Sequence, residues 1–174
     1  DAFRRIGDQE AVDRIVWALV VAGLQHAVEL ARLAMEETGF GVFEDKVVKN
    51  YVATEFLYDY LRDKKSAGVI EEDAEAGLQC VAQPIGEVMA ITPVTNPTST
   101  VMFKAIVAAK TRNAMLFRPS PRAVRCAERS VEIMKFLGEL NSQGITILMV
   151  THEAEMATFA KTIVHFKDGL VNKI

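Results

Sequence analysis

Two cysteines in 174 residues, Cys80 and Cys126, lie too far apart for a CxxC pair and are too few for a disulfide framework. That usage suits a reducing compartment, and the cytoplasm is the expected location. Charge of one sign is also missing. Lys plus Arg is 20, Asp plus Glu is 23 and the formal net charge is −3, with bases scattered among acids, so the basic face of a nucleic-acid binder is absent and no nucleic-acid partner is expected. The most apolar uncharged run, Ile15 to Val28, falls short of the roughly 18 residues of a membrane span and is broken by Gly23, Gln25 and His26. No membrane span is expected. The chain begins Asp1-Ala2-Phe3-Arg4-Arg5 with neither an initiator Met nor an apolar signal core, so the true start is expected upstream. Internal repeats and low-complexity segments are absent too. What remains is half hydrophobic and a quarter charged, the balance of a globular chain with a sizeable core.

Apolar spacing organises that core. Val12, Ile15, Val16, Leu19 and Val20, then Val28, Leu30, Leu33 and Ala34, predict two helices between Asp8 and Thr38, meeting near Gly23, with Asp8 as N-cap. Gly39-Phe40-Gly41 stops the second helix. From Phe43 to Arg62 a third helix is predicted, with Val47, Val48, Tyr51, Val52, Phe56, Leu57, Tyr60 and Leu61 as its core stripe. Gly68-Val69-Ile70 and Gly77 to Val81 bracket the acidic stretch Glu71 to Glu75, which is expected to form a hairpin tip. The period then changes. Strand Gly86 to Ile91, helix Ser99 to Thr111, strand Ala114 to Phe117, helix Arg122 to Leu140 and strand Ile145 to Val150 form the alternation of a parallel α/β sheet. A helix over Glu153 to Phe159 and two strands turning at Asp168-Gly169 close the chain.

Several motifs fail when tested. Gly39-Phe40-Gly41 supplies two of the three glycines of a dinucleotide fingerprint and follows a helix, where the fingerprint follows a strand. No segment has P-loop spacing. His152-Glu153-Ala154-Glu155-Met156 begins like a zinc HExxH, but Met156 stands where the second ligand belongs, and no metal is expected. The loop Thr92-Pro93-Val94-Thr95-Asn96-Pro97 carries more. It lies past the carboxyl end of a strand and opens a helix, where α/β proteins place ligands. Asn96 can donate to a developing oxyanion, and Thr95 and Thr98 can bond a ligand; the plainer reading is that all three cap the helix.

From Asp8 to about Cys126, the stretches Glu36-Glu37-Thr38-Gly39, Tyr51-Val52-Ala53-Thr54-Glu55, Gln83 to Val88, Ile91 to Thr100, Phe103-Lys104-Ala105 and Lys110-Thr111-Arg112-Asn113 resemble the N-terminal, cofactor-binding part of CoA-acylating aldehyde dehydrogenases. These include the aldehyde half of aldehyde-alcohol dehydrogenases. The resemblance implies a Rossmann-like domain binding NAD, with CoA and a small aldehyde as substrates. It places Ile91, Thr92, Pro93 and Val94 on the nicotinamide side of the cleft, and Arg118 and Ser120 at the adenosine ribose. In the wider family the oxyanion Asn falls one position earlier, on Thr95, so Asn96 and Thr95 are alternatives for that role. Arg118 replaces the common Lys, offering a planar fork in place of a point charge. The family's catalytic cysteine comes well downstream, and Cys80 and Cys126 read instead as small buried hydrophobes. The expectation is therefore a fragment, inactive alone. The hairpin 68–81 resembles the family's assembly hairpin, so a homo-oligomer through it is expected.

From about Ser130 the text changes. Val131-Glu132-Ile133-Met134, Leu140 to Glu153 and Phe166-Lys167-Asp168-Gly169 resemble the end of an ABC-transporter ATP-binding domain of the macrolide- or lipoprotein-export type. That resemblance implies ATP as an alternative ligand, with His152 at its γ-phosphate. The expected fold class is thus α/β: N-terminal helices and a hairpin leading into a partial Rossmann-like parallel sheet, with a βαβ tail of P-loop NTPase type. The expected division is 1–128 for the dehydrogenase part and 129–174 for the ATPase-like part, a chimera of two incomplete domains.

Overall fold

The computed structural model describes residues 8–134, together with the backbone of strand residues 148–149, 165–167 and 170–173. Helix α1 (Gln9–Gln25) starts where Asp8 accepts the Glu10 N–H at 2.9 Å, and it buries Val12, Ile15, Val16, Leu19 and Val20, the predicted face. Helix α2 (Ala27–Thr38) follows at a 60° bend. The break falls at His26, three residues past the expected one. Gly23 lies inside α1 and serves a different purpose, since a Cβ there would stand 2.6 Å from Thr54 Cγ2 and 3.2 Å from Met102 Sδ. It permits close helix approach. Helix α2 ends at Gly39 as predicted, and Gly39 takes the left-handed conformation there at φ 66°.

Helix α3 (Phe43–Tyr51), a π-helical segment (Val52–Phe56) and α4 (Leu57–Leu61) form one rod. The predicted stripe is only partly correct. Leu57 is buried, but Val48, Val52, Phe56 and Tyr60 are all about half exposed or more, so these aromatics are not core. The buried face runs instead through Lys46, Asn50, Ala53 and Thr54. Small and hydrogen-bonding side chains are what a surface pressed against Gly23 and the start of the central helix can accommodate.

Strands β1 (Val69–Asp73) and β2 (Leu78–Val81) pair antiparallel, exposed along their whole length. Asp73 accepts the Glu75 and Ala76 N–H groups, and Gly77 at φ 65° completes the turn. The acidic residues 71–73 thus belong to the strand and not the tip. Next come β3 (Glu87–Thr92), α5 (Pro97–Lys110), β4 (Ala114–Pro119), α6 (Val124–Met134) and β5 (Leu148–Met149), with the strands parallel in the order β3-β4-β5. Sequential neighbours in a parallel sheet are the expected half of a Rossmann-like unit. Strands β6 (His165–Lys167) and β7 (Leu170–Lys173) form the predicted terminal hairpin. The helices expected over 135–140 and 153–159 lie outside the described residues, as do His152 and the Asp168-Gly169 turn.

Helix α5 is the core. It packs on α1, α6, the π-helical segment and both long strands, burying Val101, Met102, Ala105, Ile106 and Ala109. Full burial of a side chain such as Met102 or Ile106 stabilises by about 1.5–3 kcal/mol relative to exposure. Its last turn is tied to α1 by Lys110, whose Nζ donates to Asp13 Oδ1 at 2.6 Å. No single helix among the described residues is long and apolar enough to cross a membrane.

Gly23→Ala is expected to destabilise the fold by about 1–3 kcal/mol, the usual cost of overpacking, because backbone or Thr54 must shift. Chemical denaturation compares it with Gly39→Ala, where the added methyl meets nothing within 4 Å and only the positive φ opposes it. A Gly23→Ala variant as stable as the parent would refute the close-approach account.

Candidate functional site

Residues Thr92 and Pro119 are register partners at the carboxyl ends of β3 and β4, so both following loops leave from one edge of the sheet. The Ser120 N–H donates to the Thr92 carbonyl at 3.2 Å, and the Ala123 N–H returns to the Ser120 carbonyl at 2.9 Å, closing the turn into α6. Five of the predicted cofactor contacts, Ile91, Thr92, Pro93, Arg118 and Ser120, are brought together at this edge, with Val94 in the adjoining loop. Ile91 is 66% exposed beside the exposed Arg118, its register partner. Thr92 is buried, and its Oγ1 has no hydrogen-bond partner. An exposed aliphatic face beside a guanidinium at this edge suits a ligand with a flat ring and ribose hydroxyls. A dinucleotide fits these donors.

The loop's polar side chains do not cap α5. Asn96 occupies the N-cap position without a side-chain cap bond, and its Oδ1 accepts from Lys49 Nζ at 3.1 Å. The Thr95 carbonyl accepts from Lys46 Nζ at 3.1 Å. Thr98 Oγ1 donates to Asn50 Oδ1 at 3.0 Å, while Asn50 Nδ2 donates to the Ala27 carbonyl at 2.7 Å. The capping interpretation therefore gives way to one in which α3 holds the loop. Lys49 engages the carbonyl end of the Asn96 amide, which leaves Nδ2 as the end that can donate. Burial, and then the neighbouring Lys49 ammonium, push Lys46 below the usual lysine range.

The predicted site residues do not include Lys46, Lys49 or Asn50, which hold the loop. Their spacing of three and four was the available signal, because it places them on one helix face. The adjacent Val47, Val48, Tyr51 and Val52 carry the stronger apolar pattern.

At the start of α6 the Arg125 and Cys126 N–H groups donate to the two oxygens of Glu37, at 2.9 and 2.7 Å. Burial opposes the charge on Glu37, but the bonds to Cys126 and Arg125 win and hold its carboxyl below the ordinary range. Burial, and after it the hydrogen bond and charge of Glu37, push the Cys126 thiol well up. Cys126 is thus an inert core thiol, as predicted. Cys80 is not: it stands exposed on β2, because both faces of the hairpin are open.

The aldehyde dehydrogenase family model matches residues 7–160. The bifunctional aldehyde-alcohol dehydrogenase of Escherichia coli K12 is 43% identical over 126 residues, 72% of this chain and 14% of that protein. The succinate-semialdehyde dehydrogenase (acetylating) of Clostridium kluyveri is 37% identical over 165 residues, 94% of this chain and 36% of that protein. Among solved structures, an acetylating aldehyde dehydrogenase from Geobacillus thermoglucosidasius superposes with a TM-score of 0.80 at 40% identity, covering 90% of this chain and 34% of that one. This chain therefore spans between about a seventh and just over a third of these relatives. The family match also continues past residue 129, where a change of family was expected, and nothing in these matches favours the transporter resemblance.

Asn50→Ala is expected to cost about 1–3 kcal/mol, chiefly for the buried Thr98 hydroxyl it orphans, read as a lowered denaturation midpoint. Glu37 sets a pH dependence. Its folded pKa lies below the unfolded value, so its contribution is complete above about pH 4.5 and is lost as pH falls through the folded value. The acid side of the stability profile should flatten in Glu37→Gln; an unchanged acid limb would contradict the assignment.

Proposed function

The chain belongs to the aldehyde dehydrogenase family, and from that premise we propose that it builds the dinucleotide side of a CoA-acylating enzyme, which converts aldehyde, CoA and NAD to acyl-CoA and NADH. The single observation that carries this reading is the shared rim of Ile91, Thr92, Arg118 and Ser120 at the carboxyl edge of a parallel sheet. When bound, NAD is the hydride acceptor of that reaction. Ile91 to Val94 present backbone and an aliphatic face to the nicotinamide, and Arg118 and Ser120 meet the adenosine ribose. Asn96 aims its amide N–H toward the oxyanion, its carbonyl end held by Lys49, with Thr95 as the alternative donor. The acetylating relatives support acyl transfer to CoA.

The reaction also needs a thiolate to attack the aldehyde carbon. Cys126 is buried with its thiol pushed up, and Cys80 lies on a different sheet from the loops. We place the nucleophile outside these 174 residues, so the chain alone binds NAD without oxidising aldehyde. The exposed hairpin β1–β2, with unpaired strand edges among the described residues, is the proposed contact between copies.

Isothermal titration of the full chain with NAD is expected to give saturable heat in the millimolar range, reduced several-fold in Arg118→Ala. Absorbance at 340 nm should stay flat with aldehyde, CoA and NAD. Absence of heat would sink the cleft assignment, and NADH formation lost in Cys80→Ser would relocate the nucleophile to the hairpin.

A further inference from the structure

The first amides of a helix have no partner within it and attract anions, which is why phosphates gather at such ends. At α6 that position is already taken. Glu37 reaches it from the last turn of α2, 88 residues back in the chain from Arg125, and receives both the Arg125 and Cys126 N–H groups with its side chain only 12% exposed. Only the turn 120–123 separates α6 from β4, so the amides that hold this carboxylate follow closely after the stretch Arg118-Pro119-Ser120 in the chain. The arginines nearby are partly committed. Arg125 Nε lies 3.8 Å from Glu37 Oε1, and Arg122 lies over the Phe40 ring with its Cζ 5.2 Å from the centroid.

In dinucleotide-binding folds the adenosine ribose sits near the end of the second strand, where an acidic group favours a free 2′-hydroxyl and an available arginine accommodates a 2′-phosphate. We propose that Glu37 is a specificity-determining residue: by filling the anion position at the start of α6, it makes the cleft accept an unphosphorylated adenosine ribose and reject a 2′-phosphorylated one. This rests on the dinucleotide reading of the cleft. A 2′-phosphate would bring about 1.5–2 further negative charges toward an ionised carboxylate. It would find the Arg125 and Cys126 amides already occupied and the Arg125 guanidinium already drawn toward Glu37. The carboxyl of Glu37 is ionised at neutral pH, since its neighbours hold it below the ordinary range.

The test titrates the full chain with 5′-ADP and with 2′,5′-ADP by calorimetry at neutral pH. The parent chain should bind 5′-ADP at least tenfold more tightly. Glu37→Gln keeps an acceptor oxygen but removes the charge, and it should narrow that ratio at least fivefold; Glu36→Gln, exposed on the same helix turn, should leave it unchanged. Circular dichroism checks that each variant is folded. Equal binding of the two nucleotides by the parent chain overturns the inference alone, whether or not any variant folds. An unchanged ratio in folded Glu37→Gln does the same. Failure of both nucleotides to bind overturns the cleft reading and this inference with it.

Discussion

Asn50 holds the loop side of the molecule in place. Fully buried between α2, α3 and α5, it donates to the first residue of α2 and accepts from the second residue of α5. A buried amide with both ends satisfied has one orientation and one position, because losing either bond strands a polar group away from water. The start of α5 is fixed relative to α2, and the loop that precedes it is fixed in turn. Lys46 and Lys49, on the same face of α3, then hold that loop by its Thr95 carbonyl and its Asn96 amide. Apolar burial of α5 provides most of the stabilisation, but it is non-directional. These polar bonds define the geometry of the rim.

The elements that the sequence revealed best were those whose apolar period matched a single packing surface. Helices α1 and α2 and strands β3 and β4 emerge close to their predicted bounds because each turns a face to one core, and α5 does so because it is buried on most sides. The rod from Phe43 to Leu61 was harder to interpret. Its hydrophobic residues outnumber the places available against α1 and α5, and its close contact with Gly23 selects Thr54 and Ala53 over Val52 and Phe56. Hydrophobicity alone ranks these residues in the opposite order. The candidate cleft was legible through the strand-loop-helix pattern around Thr92 to Thr98 and through the family resemblance. The means by which it is held was not, because Asn50 and Thr98 are 48 residues apart and no local pattern encodes their meeting.

The end of α2 shows how one carboxylate can act on two neighbours in opposite ways. Glu37 is stabilised by the amides of α6, and the same charge helps keep the Cys126 thiol protonated. A helix start usually lowers a thiol pKa. Here the anion already seated there cancels that influence, and the cysteine remains chemically quiet despite lying at a position where reactive thiolates are often found.

The π-helical segment has a consequence for how this chain can vary. Within Val52–Phe56 the backbone takes one more residue per turn than an α-helix would. The residues on either side therefore keep the rotational phase of a rod one residue shorter. Loss of a single residue there can be absorbed by tightening to α geometry, leaving Lys46, Lys49 and Asn50 aimed at the loop and Leu57 aimed at the core. The same loss in α5 would turn half of its buried face by about 100°. The rod thus carries a built-in tolerance to a change of length that its neighbour lacks.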